Sequence, residues 1–319
     1  MDLITRMNYY GKNKIPFFFI ISYDLSSFEI ISLDKLPNNI KYNINQNNIS
    51  KTKSKLSIIK PDFKQYEKKF NTIISNIKSG NTYIANLTSF TQINQDIDFN
   101  NIFKNSSAKY NLLYKDKFIS FSPETFVKIS NDTISSYPMK GTIDANIKNA
   151  KEILLENKKE LAEHTMVVDL IRNDLSIVSS NVRVEKFRFI EKINAGQKEL
   201  YQSSSKISGQ LNSNWNEKIG NIITSLLPAG SITGTPKKST IQILDNIEGY
   251  KRDFYTGIWG IFDGENLDSS VLIRFIEKQK NKYVYKSGGG ITIDSDCKNE
   301  YNEMIDKVYI PWMKFFLKL

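Results

Sequence analysis

The chain has 319 residues, a formal net charge of +10, one cysteine and one histidine. At roughly 100–200 residues per domain, this length means two domains or one large one, able to bury a core without a disulfide. Cys297 and His164 stand alone, which excludes an intramolecular disulfide, a Cys-based zinc site, His-rich metal centres and most conventional catalytic triads. Any metal is left to oxygen ligands, which favours a hard ion such as Mg²⁺. The lysines are scattered through a chain rich in Lys, Asn and Ile, so the positive balance is not read as a nucleic-acid surface. The longest apolar run, Ile15 to Ile21, is broken by Pro16 and falls far short of the ~18 residues of a membrane span. No small-residue cleavage site follows it, so it is not a signal peptide. With one free thiol, the expected location is the cytoplasm.

Ile15–Tyr23 and Phe28–Leu33 read as strands. Pro37 to Lys60 has the composition of a linker or mobile loop. Pro61–Lys78 carries apolar residues at helical spacing, with Gly80 at its C-terminal end. Tyr83–Ile93 alternates like a strand. Phe118–Phe121, Phe126–Ile129 and Thr133–Ser136 predict further strands. Asn149–Asp169 predicts a helix, and Asp174–Val184 a return to strand. Asn214–Ser225 and Lys237–Asn246 predict helices. Gly257–Asp263, Ser269–Glu277 and Lys282–Ser287 form a strand series, and a helix runs from Asn299 to about Phe316. Unevenly spaced helices among long β runs indicate α+β with large antiparallel sheets, not a βαβ repeat.

Four features carry chemistry. Glu160 and Glu163, and again Glu300 and Glu303, are spaced i, i+3, so each pair shares a helix face. Two such faces together could surround one Mg²⁺, although the spacing also suits a solvated face. Gly288-Gly289-Gly290 after a strand could let backbone N–H groups approach an anion, or could form a tight turn. Leu227 to Lys237 (LPAGSITGTPK) leads small and hydroxyl residues into a helix N-terminus, a favourable place for an anion or a capped loop. Lys140, between Pro138-Met139 and Gly141, could be held and partly desolvated as a nucleophile, or simply be solvated.

In order and wording, these segments resemble the chorismate-utilising enzymes, which include the aminodeoxychorismate, anthranilate, isochorismate and salicylate synthases. The matching residues are Ser122-Pro123-Glu124, PMKGT at Pro138–Thr142, Glu163 to Leu175 (EHTMVVDLIRNDL), LPAGSITGTPK, Phe254-Tyr255-Thr256-Gly257, Ile273-Arg274, and GGGITIDSD followed by Glu300-Tyr301-Asn302-Glu303. The resemblance covers roughly residues 61–319, as a chorismate-binding catalytic domain behind a short N-terminal segment, 1–60. It implies a layered α+β fold of two large packed antiparallel sheets with outer helices. It also implies Mg²⁺ bound by Glu163 and Glu303, with Glu160 and Glu300 acting through water. Lys307 would lie near the ring carboxylate of chorismate. Tyr255, Arg274 and the backbone of Gly288 and Gly290 would hold the enolpyruvyl carboxylate. Glu124 would be the general acid/base near the departing hydroxyl.

Within the family, a lysine at the position of Lys140 implies aminodeoxychorismate formation through a covalent intermediate, and anthranilate formation is the alternative. Ile84 stands where water-adding members carry a lysine base and amine-adding members usually carry Gln. Gln202 replaces a frequent His. The short N-terminal part implies no strong tryptophan feedback. Cys297 has no matching His nearby, so the resemblance implies that ammonia comes from a glutamine amidotransferase subunit. His164 is expected to play a supporting role.

Overall fold

A computed structural model describes residues 1–45, 56–195, 198–280 and 282–311. Two antiparallel sheets pack face to face. In the nine-stranded sheet the order is Met139–Asp144, Lys198–Gln210, Thr133–Ser136, Thr125–Ser130, Leu267–Val271, Ile258–Phe262, Phe17–Ile21 and Phe28–Ser32, with Ser180–Ala195 also paired to Lys198–Gln210. The eight-stranded sheet runs Gly234–Thr235, Ile84–Ile93, Lys282–Ile291, Phe275–Gln279, Phe118–Ser122, Tyr110–Tyr114 and Ile40–Ile44, with Ile58–Ile59 on Ile84–Ile93. The expected α+β class of two packed antiparallel sheets with outer helices is what is found.

The strand Phe17–Ile21, next to the last strand of its sheet, shows why the sheets stack. All five residues are buried. Such a continuous apolar run suits a strand covered on both faces. Phe18 and Ile20 meet Trp259, Tyr110, Leu112, Phe118 and Phe275 between the sheets. Phe17, Phe19 and Ile21 point the other way, onto Met7, Val168, Ile171, Ile219 and Ile223 of the covering helices. Across the second sheet, Tyr66, Phe70, Leu244, Tyr301 and Met304 cover Ala85, Leu87 and Ile291. Each fully buried Phe contributes about 1.5–3 kcal/mol. Among the described residues, no helix is long and apolar enough to cross a membrane.

Several elements differ from the sequence expectation. A helix, Leu3–Lys12, precedes the first strand, capped by Asp2, which accepts a hydrogen bond from the Thr5 N–H at 2.9 Å. The supposed linker contains Ile40–Ile44, paired with Tyr110–Tyr114, and the short strand Ile58–Ile59; its centre, 46–55, lies outside the described residues. The helix read as Asn149–Asp169 is two, Ala150–Glu156 and Lys158–Val178, broken at Asn157. The second runs through Asp174 because Leu170, Ile171, Asp174 and Leu175 keep a buried helical face, so strand begins only at Ser180. Ser269–Glu277 is also two strands, in different sheets, with Leu272–Arg274 as the crossing. The last helix is Cys297–Asp306, and the end expected near Phe316 lies outside the described residues.

Candidate active site

Between the sheets opens a cleft of about 840 Å³. It is lined by every predicted site residue: Lys140, Glu124, Glu160, Glu163, Tyr255, Arg274, Gly288, Gly290, Glu300, Glu303 and Lys307. Seven separate elements or turns supply them, so the chain folds a linear set of motifs into one wall-to-wall constellation.

Lys140 projects from an edge strand of the first sheet. Its neighbour Gly141 has φ +78°, and a Cβ there would lie 2.8 Å from Glu160 Oε2, so glycine serves both the turn and the close approach of that carboxylate. The Lys140 amine reaches across to the second sheet: it lies 3.0 Å from where a Cβ on Gly290 would stand, beside Ile84, and 3.6 Å from Glu163 Oε2. Glu124 lies in the turn before Thr125–Ser130, and its Oε1 accepts a short hydrogen bond from Ser231 Oγ. Burial pushes the Glu124 carboxyl above its usual range, and the Ser231 bond opposes this. A carboxylic acid tuned upward is suited to donating a proton near neutral pH.

The acidic pairs come from two capped helices. The Asn157 side chain accepts from the Glu160 N–H at 3.1 Å and fixes the first turn of Lys158–Val178. Asp296 does the same for Asn299 at 2.9 Å at the start of Cys297–Asp306. Glu163 and Glu300 are buried, while Glu303 faces the open cleft. Burial and then the charge of Glu163 push the Glu160 carboxyl up. The Lys307 ammonium holds the Glu303 carboxyl down, at 2.7 Å. Crowded carboxylates with oxygen donors only suit a hard cation. Among the described residues, however, no three acidic groups stand in ligating geometry. Lysines lie against their oxygens: Lys140 and Lys159 on Glu163, Lys159 on Glu300, and Lys307 on Glu303.

Beside the acidic pairs, a second group of residues suits an anion. Arg274 sits at the crossing between sheets with φ +52°, a conformation uncommon outside glycine. Its Nε is buried with no partner, and its guanidinium lies 5.5 Å from the Tyr309 ring centroid. Tyr255 is buried beside it. The glycine run is not a turn but part of the strand Lys282–Ile291, with Gly288, Gly289 and Gly290 opposite Thr88, Leu87 and Asn86. On its other side, pairing with Phe275–Gln279 ends at Lys286, so the glycine edge opens to the cleft. Lys307 Nζ donates to Gly288 O at 2.9 Å. The segment Leu227–Lys237 leads into the helix Lys237–Glu248: Ser231 and Ile232 line the cleft, and Lys237 pairs with Asp174 at 2.8 Å.

His164 is fully buried, with Nε2 at 2.6 Å from Ser205 Oγ, and burial lowers its pKa to about 4. It supports the helix and does not line the cleft. Gln202 lines the cleft with its Oε1 buried and unpartnered. Burial raises the Cys297 thiol, which favours the less nucleophilic protonated form. Sequence reasoning did not single out Lys159 or Tyr309. Glu300, for Lys159, and Arg274, for Tyr309, lie far away in the chain, and only the fold joins them; the available signal for Lys159 was its i, i+4 spacing to Glu163.

Fold and cleft define a protein that gathers carboxylates, lysines, an arginine and an open glycine backbone between two sheets. The chain belongs to the chorismate binding enzyme family, whose pattern matches residues 22–311. It is 43% identical over 314 residues to an uncharacterized PabA-like protein of Haemophilus influenzae, covering 97% of this chain and 96% of that one. It is 29% identical over 261 residues to aminodeoxychorismate synthase component 1 of Salmonella typhimurium, covering 76% of this chain and 56% of that one. In fold it is similar to an isochorismate synthase, DhbC, from Bacillus anthracis, with a TM-score of 0.71 at 20% identity over 96% of this chain and 88% of that one.

Proposed function

We propose that this chorismate-utilising enzyme replaces the 4-hydroxyl of chorismate by an amine, forming aminodeoxychorismate. The observation that carries the reading is the Lys140 amine, projecting from one sheet over Gly290 of the other, in the cleft that holds Glu124. A relative named aminodeoxychorismate synthase component 1 supports the same choice.

The residues suggest the following chemistry. Arg274, Tyr255 and the open Gly288–Gly290 edge hold the enolpyruvyl carboxylate, the guanidinium supplying charge and the backbone supplying donors. Lys140, after losing a proton to solvent, forms a bond from Nζ to ring carbon 2. The two diene pairs shift along the ring, and the bond from carbon 4 to oxygen breaks. Glu124 protonates the departing oxygen, which leaves as water. Ammonia then bonds to carbon 4 and gives its extra proton to the Glu124 carboxylate. The pairs shift back, and the bond from carbon 2 to Lys140 breaks. The enolpyruvyl ether is never cleaved. This covalent route divides one difficult substitution into two easier ones. Mg²⁺ held by Glu163 and Glu303, with Glu160 and Glu300 acting through water, would neutralise the ring carboxylate beside Lys307. A glutamine amidotransferase subunit would supply ammonia, because Cys297 is the only thiol of this chain and is held protonated.

The test is mass spectrometry of products from chorismate, Mg²⁺ and ammonium. A product that keeps the enolpyruvyl group and exchanges hydroxyl for amine is expected, and Lys140→Ala removes it. Anthranilate with pyruvate would overturn the reading.

A further inference from the structure

We propose that Lys159 is a built-in counter-ion of the acidic cluster, which a divalent cation must displace, so that this lysine sets the metal affinity of the site. The proposal rests on the metal reading given above. Lys159 Nζ lies 3.3 Å from Glu300 Oε1 and 3.7 Å from Glu163 Oε1. Those carboxylates belong to different helices and both line the cleft, and Lys159 alone bridges them among the described ion pairs. One ammonium therefore does what a divalent ion would do: it offsets two buried negative groups and ties the two helices together.

The competition is for the same atoms. Glu163 is flanked on both oxygens, by Lys159 on Oε1 and Lys140 on Oε2. Glu300 Oε1 also accepts from Ser295 Oγ at 2.8 Å, which keeps its carboxylate in place whichever cation is present. A hard cation binding Glu163, with Glu300 acting through water, would meet the amine first. Lys159 can yield, because its side chain is 42% exposed on a flexible stem and can turn to water. Lys307, by contrast, is also held by Gly288 O and stays with the glycine edge.

The experiment is Mn²⁺ binding to metal-free protein, read by paramagnetic resonance of the free ion. Lys159→Met removes the competing charge and should tighten Mn²⁺ binding by about fivefold, the scale of one partly exposed ion pair. Lys159→Arg, which keeps the charge, should bind close to wild type. So should Lys206→Met, which removes a lysine outside the cleft. Tightening in Lys159→Met alone supports the proposal. Unchanged or weaker binding in Lys159→Met, with binding lost in Glu163→Gln, overturns the lysine's role and leaves the metal site standing. Absence of Mn²⁺ binding in both wild type and Lys159→Met overturns the proposal and the metal reading together.

Discussion

Glu248→Gln tests how the fold holds the cleft. Glu248 and Arg252 are each only 4% exposed. Arg252 donates to Glu248 from Nε at 2.8 Å and Nη2 at 2.6 Å. The same carboxylate accepts from the Thr88 N–H at 2.9 Å and Thr88 Oγ1 at 2.7 Å. Arg252 passes this order to the cleft, donating to Asn86 O at 2.7 Å and Ile232 O at 3.0 Å, and both of those residues line it. Glutamine removes the charge and turns an amide N–H₂ toward donors, leaving a buried guanidinium uncompensated. Breaking a buried pair on one side costs about 3–5 kcal/mol. With an unfolding entropy of about 2.1 cal/mol/K per residue, a chain of this length should melt roughly 4–8 °C lower. Circular dichroism melts would show it, and chorismate affinity should weaken in parallel. A melting point within a degree of wild type would refute the reasoning.

Three further outcomes follow from the site. Replacing Ser231 by Ala removes the bond that favours ionised Glu124, so the alkaline limb of the rate profile should move to higher pH; a downward or absent shift would count against Glu124 as proton donor. Gly290→Ala puts a Cβ 3.0 Å from the Lys140 amine and 3.1 Å from Ile84 Cδ1. Turnover should fall by roughly 10²-fold from misplacement while the melting point barely changes. His164 has its pKa lowered from 6.5 to about 4 by burial, then by the Arg188 and Lys140 charges. The unfolded chain therefore takes up that proton first as pH falls, and stability is lost between about pH 6.5 and 4, by about 3 kcal/mol at most. Urea denaturation at pH 7 and pH 4.5 should show this loss, and His164→Gln should reduce it.

Local patterns revealed local structure well. The helix at Phe63–Lys78 and the strand at Ile84–Ile93 are visible in local residue patterns, the helix because Tyr66, Phe70 and Ile73 form one buried stripe. Leu3–Lys12 buries only Leu3, Met7 and Gly11, too sparse a stripe to announce a helix. The break at Leu272–Arg274 is invisible because the apolar residues Val271, Leu272, Ile273, Phe275 and Ile276 run through it, and only the change of sheet makes it necessary. Gly288–Gly290 look like a turn, yet they pair as strand because the bare backbone must pass Leu87 O closely. The acidic pairs and Lys140 were legible through spacing and resemblance. The Lys159–Glu300 pair was not, since only the packing of two helices forms it, whereas Lys159–Glu163 and Lys307–Glu303 have the i, i+4 spacing of a helix face.

The central claim is that Lys140 bonds to the substrate ring, and intact-protein mass spectrometry after acid quench tests it most directly. Wild type mixed with chorismate and Mg²⁺ in the absence of ammonium should carry one added chorismate less water, mapped to Lys140 by peptide digestion and lost on adding ammonium. No adduct, or an adduct on another residue, would contradict the account.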